Sequence, residues 1–162
     1  KHDESGAPNV IYVQHILDDW LGEAAARVIL PITDPYVVHH GALGAFATAY
    51  LPKDADRAEI INKLAQIPDM IEVLGREGAC QRYQLPPDRI GDITMISGEN
   101  MTIGTSAHRH DLAALNEPLR SHGGLTEQVV PFIVNRIIDL PEAPSLRNFD
   151  GFFYATTAAA QG

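Results

Sequence analysis

Apolar residues recur along the chain in two periods, and the switching between them predicts a mixed α/β protein. A short β-branched run at Val10–Tyr12 precedes Ile16, Leu17, Trp20 and Leu21, whose spacing puts four large apolar groups on one helical face. Gly22 follows as a C-terminal cap. Residues 27–32 read as a buried strand. Residues 45–51, with Phe46, Thr48 and Tyr50 on one face, read as its neighbour in the same sheet. Asp54 suits the N-cap of a helix over 55–66 with Ile60, Ile61, Leu64 and Ile67 on its stripe, and Pro68 ends it. Residues 70–74 predict a strand and 75–83 a short helix. Pro86 and Pro87 make a break before a core strand over 92–97. The periodicity then dissolves across 105–124, a polar loop that holds His108, His110 and His122. At 129–134 it returns as the continuous apolar run of a central strand. Phe149, Phe152 and Phe153 with the alanine-rich 155–160 predict a terminal helix that docks through its aromatics and is capped by Asn148.

Composition narrows the partners more than the fold. A chain of 162 residues with 45% hydrophobic content can bury one core of its own. A net charge of −9 and a pI near 5.1 exclude a broad nucleic-acid or anionic-membrane surface, which would need a basic patch. No apolar stretch approaches a membrane span, and the first residues lack a secretory pattern, so a soluble protein with no membrane partner is expected. Cys80 is the one cysteine. It allows no intramolecular disulfide and no cysteine zinc framework, which fits a reducing, cytoplasmic location. The chain opens at Lys1 in a polar, turn-forming segment, and the expectation is that this is not its natural beginning.

Any metal would therefore be held by histidines and carboxylates. Ser121-His122-Gly123-Gly124 is the leading candidate, because two glycines let backbone turn tightly and a ligand approach closely. Its position just before the expected strand at 129–134 matches the usual place of sites in α/β folds. A loop histidine bonded to backbone is the plainer alternative. His108 and His110, two apart, would share a face in extended backbone and could chelate one ion, or simply occupy a surface turn. His39-His40 reads as a polar bend and His2-Asp3 as a terminal turn. Asp18-Asp19 and the Asp54, Asp56 pair fit solvated helix positions. No nucleophile elbow, phosphate-cradling loop or Cys-His pair is present, and Cys80 beside Ala79 reads as an inert core thiol.

Residues 27–44 (RVILPITDPYVVHHGALG) and 110–128 (HDLAALNEPLRSHGGLTEQ) resemble the phosphonoacetate hydrolases of the alkaline phosphatase superfamily, and the resemblance extends over residues 1–136. It implies a two-zinc enzyme that cleaves the carbon–phosphorus bond of phosphonoacetate to give acetate and phosphate. In that family a threonine attacks phosphorus, and the ligands are aspartates and histidines spread along the chain. His122 falls on the C-terminal histidine ligand. The nucleophilic threonine and the other ligands would all precede Lys1, so no catalytic nucleophile is assigned within this chain. The resemblance thus implies the C-terminal part of an alkaline-phosphatase-like α/β core, inactive without its N-terminal portion. Residues 1–25 would belong to the core, 26–103 to a smaller mixed α/β cap-like insertion, and 104–162 to the core again. Lys1, His108 and Arg109 are candidate contacts for the anionic groups of a small phosphonate substrate. The partners implied are that substrate, the N-terminal portion of the same enzyme and a second copy in a homodimer.

Two rival readings remain open at this level. In one the chain is a non-catalytic α/β binding or regulatory module, with His122 a structural loop residue. In the other it is a self-contained single-zinc hydrolase in which His108, His110 and His122 converge.

Overall fold

The computed structural model describes residues 1–31, 43–113, 115, 119–135 and 146–159. Within residues 1–129, two sheets are built from segments far apart in sequence. The smaller pairs β1 (Val10–Tyr12) in parallel with β6 (Thr102–Gly104), so that Ile11 faces Ile103. The larger is antiparallel, in the order β2 (Arg27–Ile29), β3 (Phe46–Tyr50), β5 (Ile93–Ser97), β4 (Met70–Gly75). The protein is mixed α/β, as its periodicity predicts.

The core follows from these pairings. Strand β5 is buried along its whole length because it lies inside the sheet. Ile93 and Met95 join Ala47, Ala49, Val28 and Val73 in one apolar cluster. Strand β3 turns its alanines into that cluster, while Phe46 is half-buried and Tyr50 exposed. Thr48, between the alanines, is buried and donates to the Ile93 carbonyl at 2.9 Å while accepting the Gly91 N–H at 2.8 Å. Gly91 can be nothing larger, since a Cβ there would sit 2.4 Å from the Ala49 carbonyl oxygen. Helix α2 (Arg57–Ala65) packs Ile60 and Leu64 onto the sheet, and α3 (Arg76–Tyr83) follows β4 directly.

Several sequence expectations shift. The expected cap of α2, Asp54, gives way to Asp56, whose carboxylate accepts the Glu59 N–H at 3.0 Å. This is the capping spacing, with an acid three residues before another. Helix α1 (Val13–Leu21) buries Val13 and Leu17, but Trp20 lies 37% exposed with the Lys63 ammonium 5.4 Å from its ring centre. Its C-cap is Gly22 at φ 98°, as expected. Strand β2 ends at Ile29, short of the expected residue 32, which lies outside the described residues.

The largest departure is at 129–134. The run is not a strand but irregular backbone with Val129 98% and Ile133 89% exposed. A strand needs neighbours for its N–H and C=O groups, and no ladder reaches these residues among those described. The chain divides here into a second compact unit, Val130–Gly162. That unit holds α4 (Asp150–Ala159), where the Asp150 carboxylate accepts the Arg147 N–H at 2.8 Å. Tyr154 meets Phe132 and Phe153 edge-on, but Phe149, Phe152 and Phe153 themselves are exposed rather than docked.

Candidate functional site

The His122 loop is stitched to the start of β3 by contacts that bridge nearly eighty residues. The Ser121 hydroxyl donates to the Leu43 carbonyl at 2.7 Å, and the Ala45 N–H donates to the His122 carbonyl at 3.0 Å. Gly44 in turn exchanges backbone bonds with Ile103 of β6, so the loop hangs from the place where the two sheets meet. Gly123 takes φ 91°, a left-handed conformation suited to glycine. Gly124 is buried so closely that a Cβ there would stand 3.1 Å from the Ala45 Cβ. The backbone of the tetrapeptide is therefore held while the His122 side chain is exposed.

A short turn, Leu125–Glu127, completes the loop. Glu127 accepts the Gly124 N–H through Oε2 at 3.1 Å and meets the Lys1 ammonium through Oε1 at 3.2 Å. Burial pushes the Glu127 carboxyl up, but the Gly124 N–H, the Lys1 ammonium and nearby His122 outweigh it and hold the group below its ordinary value. The Lys1 side chain is 7% exposed, and this carboxylate is its counter-charge.

His108 and Arg109 lie apart from this loop, on the turn Ala107–Arg109. Both are exposed, and both line an open cleft of about 890 Å³ between α1, β2 and residues 105–110. His15 and Arg27 line the same cleft, as do Asp18 and Glu23. The His15 and His108 rings stack with centroids 6.2 Å apart. Arg27 and Arg109 have no carboxylate within ion-pairing distance among the described residues. Asp18 is occupied by the Gln14 amide at 2.9 Å and the Ala24 N–H at 3.1 Å. Gln14 also donates to the Ala26 carbonyl and accepts the Val28 N–H, each at 2.9 Å, and so acts as a partner strand for the free edge of β2.

His110 does not share a face with His108. It is buried, accepts the Thr105 N–H on Nε2 at 3.0 Å and stacks on Tyr12. His108, His110 and His122 therefore assemble no ion site, and among the described residues no three His, Cys, Asp or Glu side chains could hold a metal. Asp3 organises the first turn by accepting from the Ser5 hydroxyl and the Ser5 and Ala7 N–H groups, so His2-Asp3 is a turn. Cys80 is half-buried and free. His39 and His40 lie outside the described residues. Among the described residues no helix is long and apolar enough to cross a membrane.

Sequence reasoning missed Gln14, His15, Arg27 and Glu127. Only Glu127 had a local signal, standing three residues after the backbone N–H it caps. The others act through contacts that no spacing encodes.

The fold is thus that of a mixed α/β segment that presents one histidine from a glycine-rich loop. Among its relatives of known structure is phosphonoacetate hydrolase. The chain is similar at 71% identity over 98% of its length to the crystal structure of that enzyme from Sinorhizobium meliloti 1021 in complex with phosphonoformate, with a TM-score of 0.86. It matches the same enzyme in complex with phosphonoacetate at the same identity and a TM-score of 0.85. The chain spans 39% of the length of these solved structures, which is consistent with the C-terminal portion expected from the sequence. No family model matches the chain.

Proposed function

We propose that the chain is the C-terminal portion of a zinc-dependent phosphonoacetate hydrolase, which cleaves the carbon–phosphorus bond of phosphonoacetate to acetate and phosphate. The observation that carries this reading is 71% identity to phosphonoacetate hydrolase over 98% of the chain. His122 supplies one zinc ligand. Its exposed imidazole on a pinned backbone suits a ligand offered to an ion that residues outside this chain complete. Two zinc ions, when bound, would polarise the phosphoryl group and lower the pKa of the nucleophile. The nucleophilic threonine and the remaining ligands belong to the N-terminal portion, so this chain alone is inactive. His108 and Arg109 contact the substrate's anionic groups, and Lys1 lends its charge beside the His122 loop.

The exposed run at 129–134 supports the same reading, because an apolar β-prone segment without a ladder partner suits a core strand whose neighbours lie in the N-terminal portion. Residues 26–103 form the cap-like insertion and carry the whole antiparallel sheet, while β6, which pairs with β1 of segment 1–25, straddles the boundary between the insertion and segment 104–162. The enzyme works in the cytoplasm, where one unpaired thiol is stable, and forms a homodimer. The test compares phosphonoacetate turnover and zinc content for this chain, for the chain extended to the length of its relatives, and for the extended chain carrying His122→Ala. Turnover and zinc are expected in the extended chain, with both reduced by the substitution. Zinc bound by the short chain through its own histidines, or full activity without His122, would overturn the proposal.

A further inference from the structure

We infer that Glu127, held by Lys1, is a positioning residue that fixes the direction in which His122 is presented. This rests on the reading of His122 as a ligand. Three contacts set the loop's path: the Ser121 hydroxyl on Leu43, the Ala45 N–H on the His122 carbonyl, and the Glu127 carboxylate on the Gly124 N–H. The first holds the chain before His122, and the second holds the peptide that leaves it. Beyond it the Glu127 N–H donates to the Gly124 carbonyl at 3.2 Å, and the Glu127 carboxylate holds the Gly124 amide, across Gly123, whose φ of 91° is a left-handed conformation suited to glycine. Without the carboxylate, the Gly124 amide would lose its side-chain acceptor in a place where that residue is buried against Ala45. Movement at Gly123 would then pull on the peptide that the Ala45 N–H holds and loosen the backbone from which the imidazole projects.

Lys1 explains why an acid is needed rather than any acceptor. Its side chain is almost wholly enclosed, and the Glu127 carboxylate at 3.2 Å is its counter-charge. One oxygen of the carboxylate neutralises Lys1 while the other holds Gly124, so the two roles lock the side chain in one rotamer. The carboxylate also lies close enough to His122 to interact with it electrostatically. The two oxygens of the Glu127 carboxylate are spent on Lys1 and Gly124, so its effect reaches the chemistry through His122.

The arrangement separates charge from shape, which makes it testable. Glu127→Ala removes both contacts. Glu127→Gln keeps an oxygen for Gly124 but strands the Lys1 charge. The pair Lys1→Met with Glu127→Gln keeps the Gly124 contact with no stranded charge. In the 162-residue chain, amide hydrogen exchange and the ¹⁵N–¹H position of Gly124 report the clip directly. In the chain extended to the length of its relatives, zinc affinity by competition with a chelator reports its effect on His122. Glu127→Ala is expected to release the Gly124 amide and to weaken zinc on the order of tenfold, as loss of an outer partner of a ligand does. The double variant is expected to regain most of that affinity. The inference is overturned if the Gly124 amide is released while zinc affinity stays at the wild-type value, or if the double variant is as weak as Glu127→Ala. If His122→Ala itself leaves zinc affinity unchanged, the ligand reading fails instead, and a freed Gly124 amide would still show the clip.

Discussion

The Gln14 side chain joins α1 to the edge of β2, and replacing it puts a number on that seam. Its amide makes three bonds of 2.9 Å, two of them to backbone groups of the β2 segment, the Ala26 carbonyl and the Val28 N–H. Each such bond contributes about 0.5–1.5 kcal/mol net. The cleft beside Gln14 is open, so water can reach the released groups, and the lower half of that range applies. Gln14→Ala removes all three and should therefore cost about 1.5–3 kcal/mol, or a fall of roughly 4–9 °C in Tm for a domain of this size. Urea titration followed by far-ultraviolet circular dichroism measures it, with an unchanged slope showing that the unfolded state is unaffected. A loss below about 0.5 kcal/mol would mean that water serves the strand edge as well as the amide does. Gln14→Glu sharpens the test. One oxygen can still accept from Val28, but the other would face the Ala26 carbonyl and the Asp18 carboxylate, two acceptors where a donor stood. The new acid's pKa is raised in the fold, so its penalty is full above that raised value and disappears below its unfolded value. At neutral pH Gln14→Glu should thus be less stable than Gln14→Ala, and the order should close as pH falls through the carboxylate range.

Two further outcomes follow from the same geometry. Gly91→Ala would place a methyl 2.4 Å from both the Ala49 carbonyl oxygen and the Thr48 hydroxyl, forcing β3 and β5 apart, and should cost about 2–4 kcal/mol by chemical denaturation. A neutral result would mean that the turn before β5 can move freely. The carboxyl of Glu127 is held below its ordinary value, so its bond to Gly124 should be intact above the ordinary carboxylate range and be lost as pH falls through the lowered folded value. The Gly124 amide shift followed against pH should trace that midpoint, and a midpoint at or above the value for an unperturbed glutamate would refute it.

How far the sequence could be read depended on whether an instruction and its complement lie close together. The stripe Ile60, Leu64 and the caps Asp56 and Gly22 are local, and α1 and α2 form where the pattern put them. Even the misplaced cap was legible, because Asp56 stands three residues before Glu59. Trp20 misled because period alone assigns a face without saying how much of it the core can cover. The candidate site divides the same way. Two glycines beside His122 marked the loop, but its ties to Leu43 and Ala45, and the meeting of His15 with His108, cross tens of residues and leave no trace in spacing.

The apolar run at 129–134 and the histidine at 122 are misfits of one kind. Each is a clear local instruction, one for a buried strand and one for a metal ligand, and neither meets its complement among the described residues. A strand failing for want of propensity would be polar or rich in glycine and proline, whereas Val129, Val130, Phe132, Ile133 and Val134 are strong strand formers broken only by Pro131. A histidine failing as a ligand would have its ring spent on a hydrogen bond or a core contact, as His110 does, whereas the ring of His122 is exposed on a backbone held from both sides. Because the two lie within one continuous segment, a single added polypeptide that supplied ladder partners to the first would bring its own side chains to the second. Burial of Val129–Val134 and zinc binding at His122 should accordingly appear together as the chain is extended to the length of its relatives, and gaining one without the other would break the link between them.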